Sequence, residues 1–257
     1  MSELAKRVKV LDLWVDPIDM GQAVERIKGF LEEGQRPHSV FAVNPEKNFS
    51  APRDPFLYAI FRSADLLIPD GISVVLATRL LHGLRFSRVA GVDLMHRICG
   101  MAAESGRTVF LFGSKEEVNR KAAAELTKLY PGLTIAGRSH GYVPEEEMSS
   151  LIARINASGA EILFLGLGSP KQEQWYAMHN DELRTVKVCQ GIGGSLDTIA
   201  GIVKRAPEFW QRHYLEWFYR LVKDPKRIRR QRALPIFAFK VLGRKLVSIL
   251  GSGGIRS

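Results

Sequence analysis

Residues 162–173 read Ile-Leu-Phe-Leu-Gly-Leu-Gly-Ser-Pro-Lys-Gln-Glu. The apolar run Ile162–Leu167 shows no alternation with polar residues, as expected of a strand covered on both faces. The glycines and Pro170 then make a turn, and the spacing predicts a helix over about Gln172–His179. Strand, turn and helix in that order form a unit of a parallel sheet. Working outward, Thr108–Phe112 is a second such strand, with Val118, Ala122, Leu126 and Leu129 marking its helix. Leu133–Ala136 is a third, followed by a loop from Gly137 to Pro144 and a helix carrying Met148, Leu151, Ile152 and Ile155. Val186–Gln190 completes this half.

The first hundred residues repeat the rhythm less regularly. Val8–Leu13 reads as one strand, followed by a helix through Met20, Ala23, Val24, Ile27, Phe30 and Leu31. Ser39–Val43 and Leu66–Ile68 are strands, with helices near Asp54–Ala64 and Ile72–Leu81, and Asp93 placed to cap a helix running to about Ser105. The expectation is an α/β, Rossmann-like, mostly parallel sheet with helices on both faces. One boundary falls near residue 200, giving a core over 1–202 and an appendage over 203–257.

Charge sets that appendage apart. It carries 14 Lys and Arg against three acids, Glu208, Glu216 and Asp224, for a net +11; the first 202 residues hold 23 bases and 24 acids. A basic tail on a neutral core points to a polyanionic partner. The run Pro235–Leu250 is strongly apolar with Lys240, Arg244 and Lys245 interspersed, which suits an anionic membrane surface better than nucleic acid. A helix packed on the core is the bland alternative for the same run. Its aromatic residues, Trp210, Tyr214, Trp217 and Tyr219, would be the stacking groups of the nucleic-acid reading. No stretch reaches the roughly 20 apolar residues of a membrane span. Cys99 and Cys189 have no disulfide or metal spacing, which fits a reducing, cytosolic compartment.

In open α/β sheets ligands bind beyond the carboxyl ends of the strands. The loops expected there are Asn44-Pro45-Glu46, Pro69-Asp70-Gly71, Gly113-Ser114, Gly166 to Glu173, and Gly191-Ile192-Gly193-Gly194. Glycine loops and helix N-termini admit an anion such as a diphosphate, although each alone is an ordinary tight turn. Gly166-Leu167-Gly168 lacks the third glycine of a dinucleotide fingerprint, and no Asp-x-Asp pair is present to hold a metal. A cofactor is therefore not expected, and the protein's own cations would compensate phosphate charge. Asp70 can project into the cleft as a general base, while Asp65 suits capping or pairing.

Taken together and in order, these loops closely resemble the WecG/TagA/CpsF family of bacterial glycosyltransferases. The resemblance rests on Ala64-Asp65, Pro69-Asp70-Gly71, Arg88 to Leu94, Tyr130-Pro131-Gly132, Gly141-Tyr142, Gly168 to Glu173, Gly191 to Asp197, Ala200-Gly201, Lys204 to Pro207 and Leu215 to Leu221. Glu216-Trp217, Tyr219-Arg220, Pro225 and Arg227 to Arg230 look most like the teichoic-acid branch. The resemblance implies an inverting transfer of N-acetylmannosamine from UDP-N-acetylmannosamine to undecaprenyl-diphosphate-linked GlcNAc, at the cytoplasmic face of the membrane. A uronic-acid donor, UDP-ManNAcA, is the alternative within the family. By motif, Asp70 is the base, Asn44 and Arg88 position substrate, and Gln172 lines the nucleotide-sugar pocket. Arg220, Arg227 and Arg230 close over the leaving UDP, with no metal ion required. A homo-oligomer is compatible with the sequence.

Overall fold

The computed structural model describes residues 6–33, 36–223 and 232–252. Among these residues, six strands form one parallel sheet: β3 (His38–Val43), β4 (Leu66–Pro69), β5 (Thr108–Gly113), β6 (Thr134–Ser139), β7 (Ile162–Gly166) and β8 (Val188–Gly191). Their order across the sheet is β4-β3-β8-β7-β5-β6. β7 and β8 are buried along their whole length, whereas the edge strand β6 is mostly half-exposed. The continuous apolar runs thus fall on strands that need covering on both faces.

Alternation along each strand divides the core. Val109, Leu111, Ile162 and Phe164 face one layer, formed by α1 (Met20–Glu33), α5 (Gly91–Ser105) and α6 (Glu116–Leu129). Phe110, Phe112, Leu163 and Leu165 face the other, formed by α3 (Pro55–Ser63), α7 (Met148–Ala157) and α8 (Lys171–His179). Each layer brings its helical stripe to the sheet, such as Ala23, Ile27, Phe30 and Leu31 from α1. Period two in the strands and period 3.6 in the helices meet at the same surface. Cys99 and Cys189 are buried free thiols; burial pushes Cys99 up to about 12 and Cys189 well above the ordinary thiol range.

Four sequence expectations change. Asp93 does not cap its helix: α5 starts at Gly91 with Ala90 at the cap, and Asp93 lies within the first turn. Val8–Leu13 is not one strand: Leu11 takes a left-handed backbone (φ 55°), and the segment folds back as the hairpin β1 (Val8–Val10) and β2 (Leu13–Val15), outside the main sheet. The expected loop from Gly137 begins three residues later, because β6 continues to Ser139. Gly137 belongs to the strand since the Phe110 ring lies where its Cβ would sit, 2.5 Å away, beside a register shift between β5 and β6. The loop after β3 contains a short helix, α2 (Pro45–Ser50), with Asn44 as its cap and Pro45 in its first turn.

A satellite cluster joins the hairpin to α4 (Ile72–His82) and to the C-terminal helix, Ala233–Ser252, through Val10, Leu11, Val15, Val74, Ala77, Phe237 and Val241. Phe237 and Val241 are one turn apart and form the buried contact. Outward, Phe239 (79% exposed), Leu242, Leu246, Val247, Ile249 and Leu250 meet solvent. The helix is therefore docked at one face, and its other faces expose apolar residues interspersed with Lys240 and Arg244. Among the described residues no helix is long and apolar enough to cross a membrane.

Candidate functional site

The register of β3 on β4 pairs Val43 with Pro69, so Asn44 and Asp70 leave neighbouring strands side by side. The Asp70 N–H donates to the carbonyls of Val43 and Ile68, each at 3.0 Å, and fixes the loop against β3. Its side chain remains 33% exposed at the carboxyl end of the sheet, ahead of α4. Asn44 Oδ1 accepts from the Lys47 N–H at 3.0 Å, so part of its polar capacity is spent in capping α2.

Arg88 comes from the segment between α4 and α5. The Val89 N–H donates to the Pro69 carbonyl at 3.0 Å, which sets this segment beneath Asp70. Arg88 Nε lies 3.8 Å from Asp70 Oδ1, and Nη2 lies 3.0 Å from Glu216 Oε2. Burial opposes the guanidinium charge, but Asp70, the Glu216 hydrogen bond and Asp93 outweigh it and hold Arg88 above its ordinary range. One fixed cation is thus shared between two carboxylates. Alongside, Asp93 in the first turn of α5 pairs with Arg205 at 2.5 Å.

Across the cleft, Gln172 lies in the first turn of α8 and is buried. Its Oε1 accepts from the Gly193 N–H at 2.9 Å, and its Nε2 donates to Glu173 Oε1 at 3.1 Å. The amide therefore holds the Gly191–Gly194 loop in place. Beneath it, Glu173 is fully buried and pairs with Lys47 at 2.6 Å, tying α8 to α2. At the next strand ends, Gly113 (φ 143°) approaches Gly166 so closely that a Cβ would lie 2.4 Å from its backbone. Ser114 follows with φ 57° and donates to Asp197 at 3.3 Å.

Asn44, Asp70, Arg88 and Gln172 all belong to loops or first turns at the carboxyl ends of the strands. Asp65 does not: it precedes β4 at the opposite end and hydrogen-bonds to Arg36 and Ser39, with His38 Nδ1 3.4 Å away. It borders a depression of about 360 Å³ there with Tyr176 and Asn180. Burial raises its carboxyl, but the Arg36 hydrogen bond and the Ser39 N–H prevail and hold it below the usual carboxylate range. Asp65 has the pairing role expected of it. Of the tail arginines, Arg220 stands in α11 (Glu216–Lys223), while Arg227 and Arg230 lie outside the described residues.

Sequence reasoning assigned no role to Lys47, Glu173 or Glu216. Two charged pairs that close only through tertiary contact, 126 and 128 residues apart in the chain, leave no spacing that joins the partners. The available signals are that Glu173 and Glu216 lie inside the motifs Gly168 to Glu173 and Leu215 to Leu221, and that Glu216 is one of three acids in a strongly basic segment.

The model of the glycosyl transferase WecG/TagA/CpsF family matches residues 8–249. A relative from Bacillus subtilis (strain 168), named N-acetylglucosaminyldiphosphoundecaprenol N-acetyl-beta-D-mannosaminyltransferase, is 38% identical over 205 residues, covering 79% of this chain and 78% of its own. A protein of the same name from Staphylococcus aureus (strain MRSA252) is 35% identical over 242 residues, covering 93% of each chain.

Proposed function

The chain belongs to the WecG/TagA/CpsF family of glycosyl transferases, and from that premise we propose that it moves N-acetylmannosamine from UDP-ManNAc to GlcNAc-diphospho-undecaprenol. The observation that carries this reading is the near full-length similarity to transferases named for that acceptor. The placement of Asp70 beside Arg88 at the strand ends supports it.

In the proposed mechanism, Asp70 accepts the proton of the acceptor 4-hydroxyl as that oxygen attacks C1 of the donor sugar. The bond from C1 to the diphosphate breaks on the opposite face, so the anomeric configuration inverts and UDP leaves. Asn44 and Arg88 orient substrate around Asp70. Gln172 acts through the Gly191–Gly194 loop, which its hydrogen bond to the Gly193 N–H holds at the strand ends. Arg220, Arg227 and Arg230 compensate the leaving charge; guanidinium pairs bidentately with phosphate and stays charged at every working pH.

The acceptor lies in a bilayer, and the appendage supplies the means to meet it: a basic segment followed by a helix with an exposed apolar face. That chemistry supports peripheral attachment to an anionic membrane surface, which we place at the inner face of the cell membrane. The test is incubation with UDP-ManNAc and a lipid-linked GlcNAc acceptor, with and without excess chelator, measuring UDP release and the disaccharide product. Acceptor-dependent release that survives the chelator is expected. Release with a uronic-acid donor but not with UDP-ManNAc would transfer the assignment to the family's other branch.

A further inference from the structure

The appendage holds few acids, and one of them is buried. Glu208 is an exposed partner of Arg212, one turn away. Glu216 is only 6% exposed, and its carboxylate reaches Arg88, 128 residues earlier in the chain. Burying a carboxylate is costly unless a charge and hydrogen bonds compensate it, so this contact selects one docked position for the first turn of α11. The negative side chain also suits a helix N-terminus. α11 is further braced by its neighbour α10 (Glu208–Arg212), where Trp210 packs against Phe218 and Tyr219 with ring centroids 6.0 and 5.9 Å apart. Arg220 stands one turn beyond Glu216 in the same helix, so docking Glu216 sets how near that turn comes to the cleft.

The same contact bears on Asp70. Arg88 points Nη2 at Glu216 at 3.0 Å, while its Nε is 3.8 Å from Asp70 and makes no hydrogen bond. Without Glu216, the guanidinium is free to turn its two-pronged face onto Asp70, and a base so paired is less available to the acceptor hydroxyl. Among the described residues, Asp93 and its partner Arg205 also bear on Arg88 and its surroundings.

We propose that Glu216 is a positioning residue for the transfer: by engaging Arg88 it locks α11 against the strand-end cleft and keeps the guanidinium from closing on Asp70. Glu216 thereby couples the appendage to the base through Arg88. This inference rests on the transferase reading of the cleft.

The experiment uses full-length Glu216→Gln and Glu216→Asp. Two readouts are taken: steady-state kinetics, and amide hydrogen exchange of residues 210–223 without substrate. For Glu216→Gln, kcat should fall about tenfold or more while the donor KM moves less than about threefold, the pattern of a lost transition-state arrangement. Exchange in α11 should quicken, and Glu216→Asp should recover part of both. Faster exchange with unchanged kcat would reduce the contact to a structural tie and overturn the positioning role. A fall in kcat with unchanged exchange would overturn the lock. Wild-type protein that releases no UDP would defeat the transferase reading and the positioning role with it, while the exchange measurement still decides whether Glu216 holds α11.

Discussion

At the residue scale, two aspartates five positions apart take opposite parts. Asp70 ends a strand, stays partly open to solvent and has a shared arginine beside it; Asp65 begins the strand and is enclosed by its partners. Asp70→Asn should retain the fold and donor binding and lose turnover by roughly 10²–10⁴-fold, the usual contribution of a general base. Stopped-time product assays beside a thermal melt check this, and wild-type turnover would refute the assignment. Asp65→Asn should do the reverse, sparing kcat and lowering stability by about 2 kcal/mol at pH 7, since a charge-assisted hydrogen bond is lost. Arg36 is more than half exposed, so solvent screening keeps the effect modest. The sign with pH follows from the lowered carboxyl. The unfolded chain binds this proton more readily, so the contribution is complete above about pH 4 and fades as pH falls through the folded value. Denaturant melts of both proteins at pH 7 and at low pH should therefore converge on acidification.

At the scale of elements, the cleft depends on strand ends that nearly touch. Gly113 closes β5 against the backbone of Gly166 at the end of β7, and its φ of 143° disfavours any side chain. Gly113→Ala should destabilise by roughly 1–3 kcal/mol or more through strain and overpacking, and should loosen the Ser114–Asp197 contact. Equilibrium unfolding measures the first. A variant as stable as the wild type would show that β5 and β7 can part at little cost. The α8 element shows how one side chain braces a neighbouring loop. Gln172 begins the helix, and its hydrogen bond fixes the next strand's glycine loop. The Asn44 loop likewise gains rigidity from the α2 helix that it caps.

At the scale of the whole molecule, a neutral two-layered core carries a basic appendage whose last helix rests on α4 and the hairpin. Each basic residue near an anionic bilayer contributes about 1 kcal/mol, and the effect falls within a Debye length. Vesicle binding should therefore weaken as salt rises, since that length shrinks from ~10 Å at 0.1 M to ~3 Å at 1 M. Removing residues 203–257 should leave both main core layers intact, abolish sedimentation with anionic vesicles and nearly abolish transfer. Equal activity of truncated and full-length protein on a water-soluble acceptor analogue would make the appendage an anchor only. The sequence by itself determined the parallel α/β class, the strand-end loops and the charge asymmetry, because continuous apolar runs, glycine turns and composition are local properties. It could not split Val8–Leu13 into a hairpin, since that break depends on Leu11 packing with α4 and the C-terminal helix. Nor could it join Lys47 to Glu173 or Arg88 to Glu216. Those pairings were decided by the tertiary structure, because a buried charge finds its partner through the packing of distant elements, and no spacing along the chain encodes that meeting.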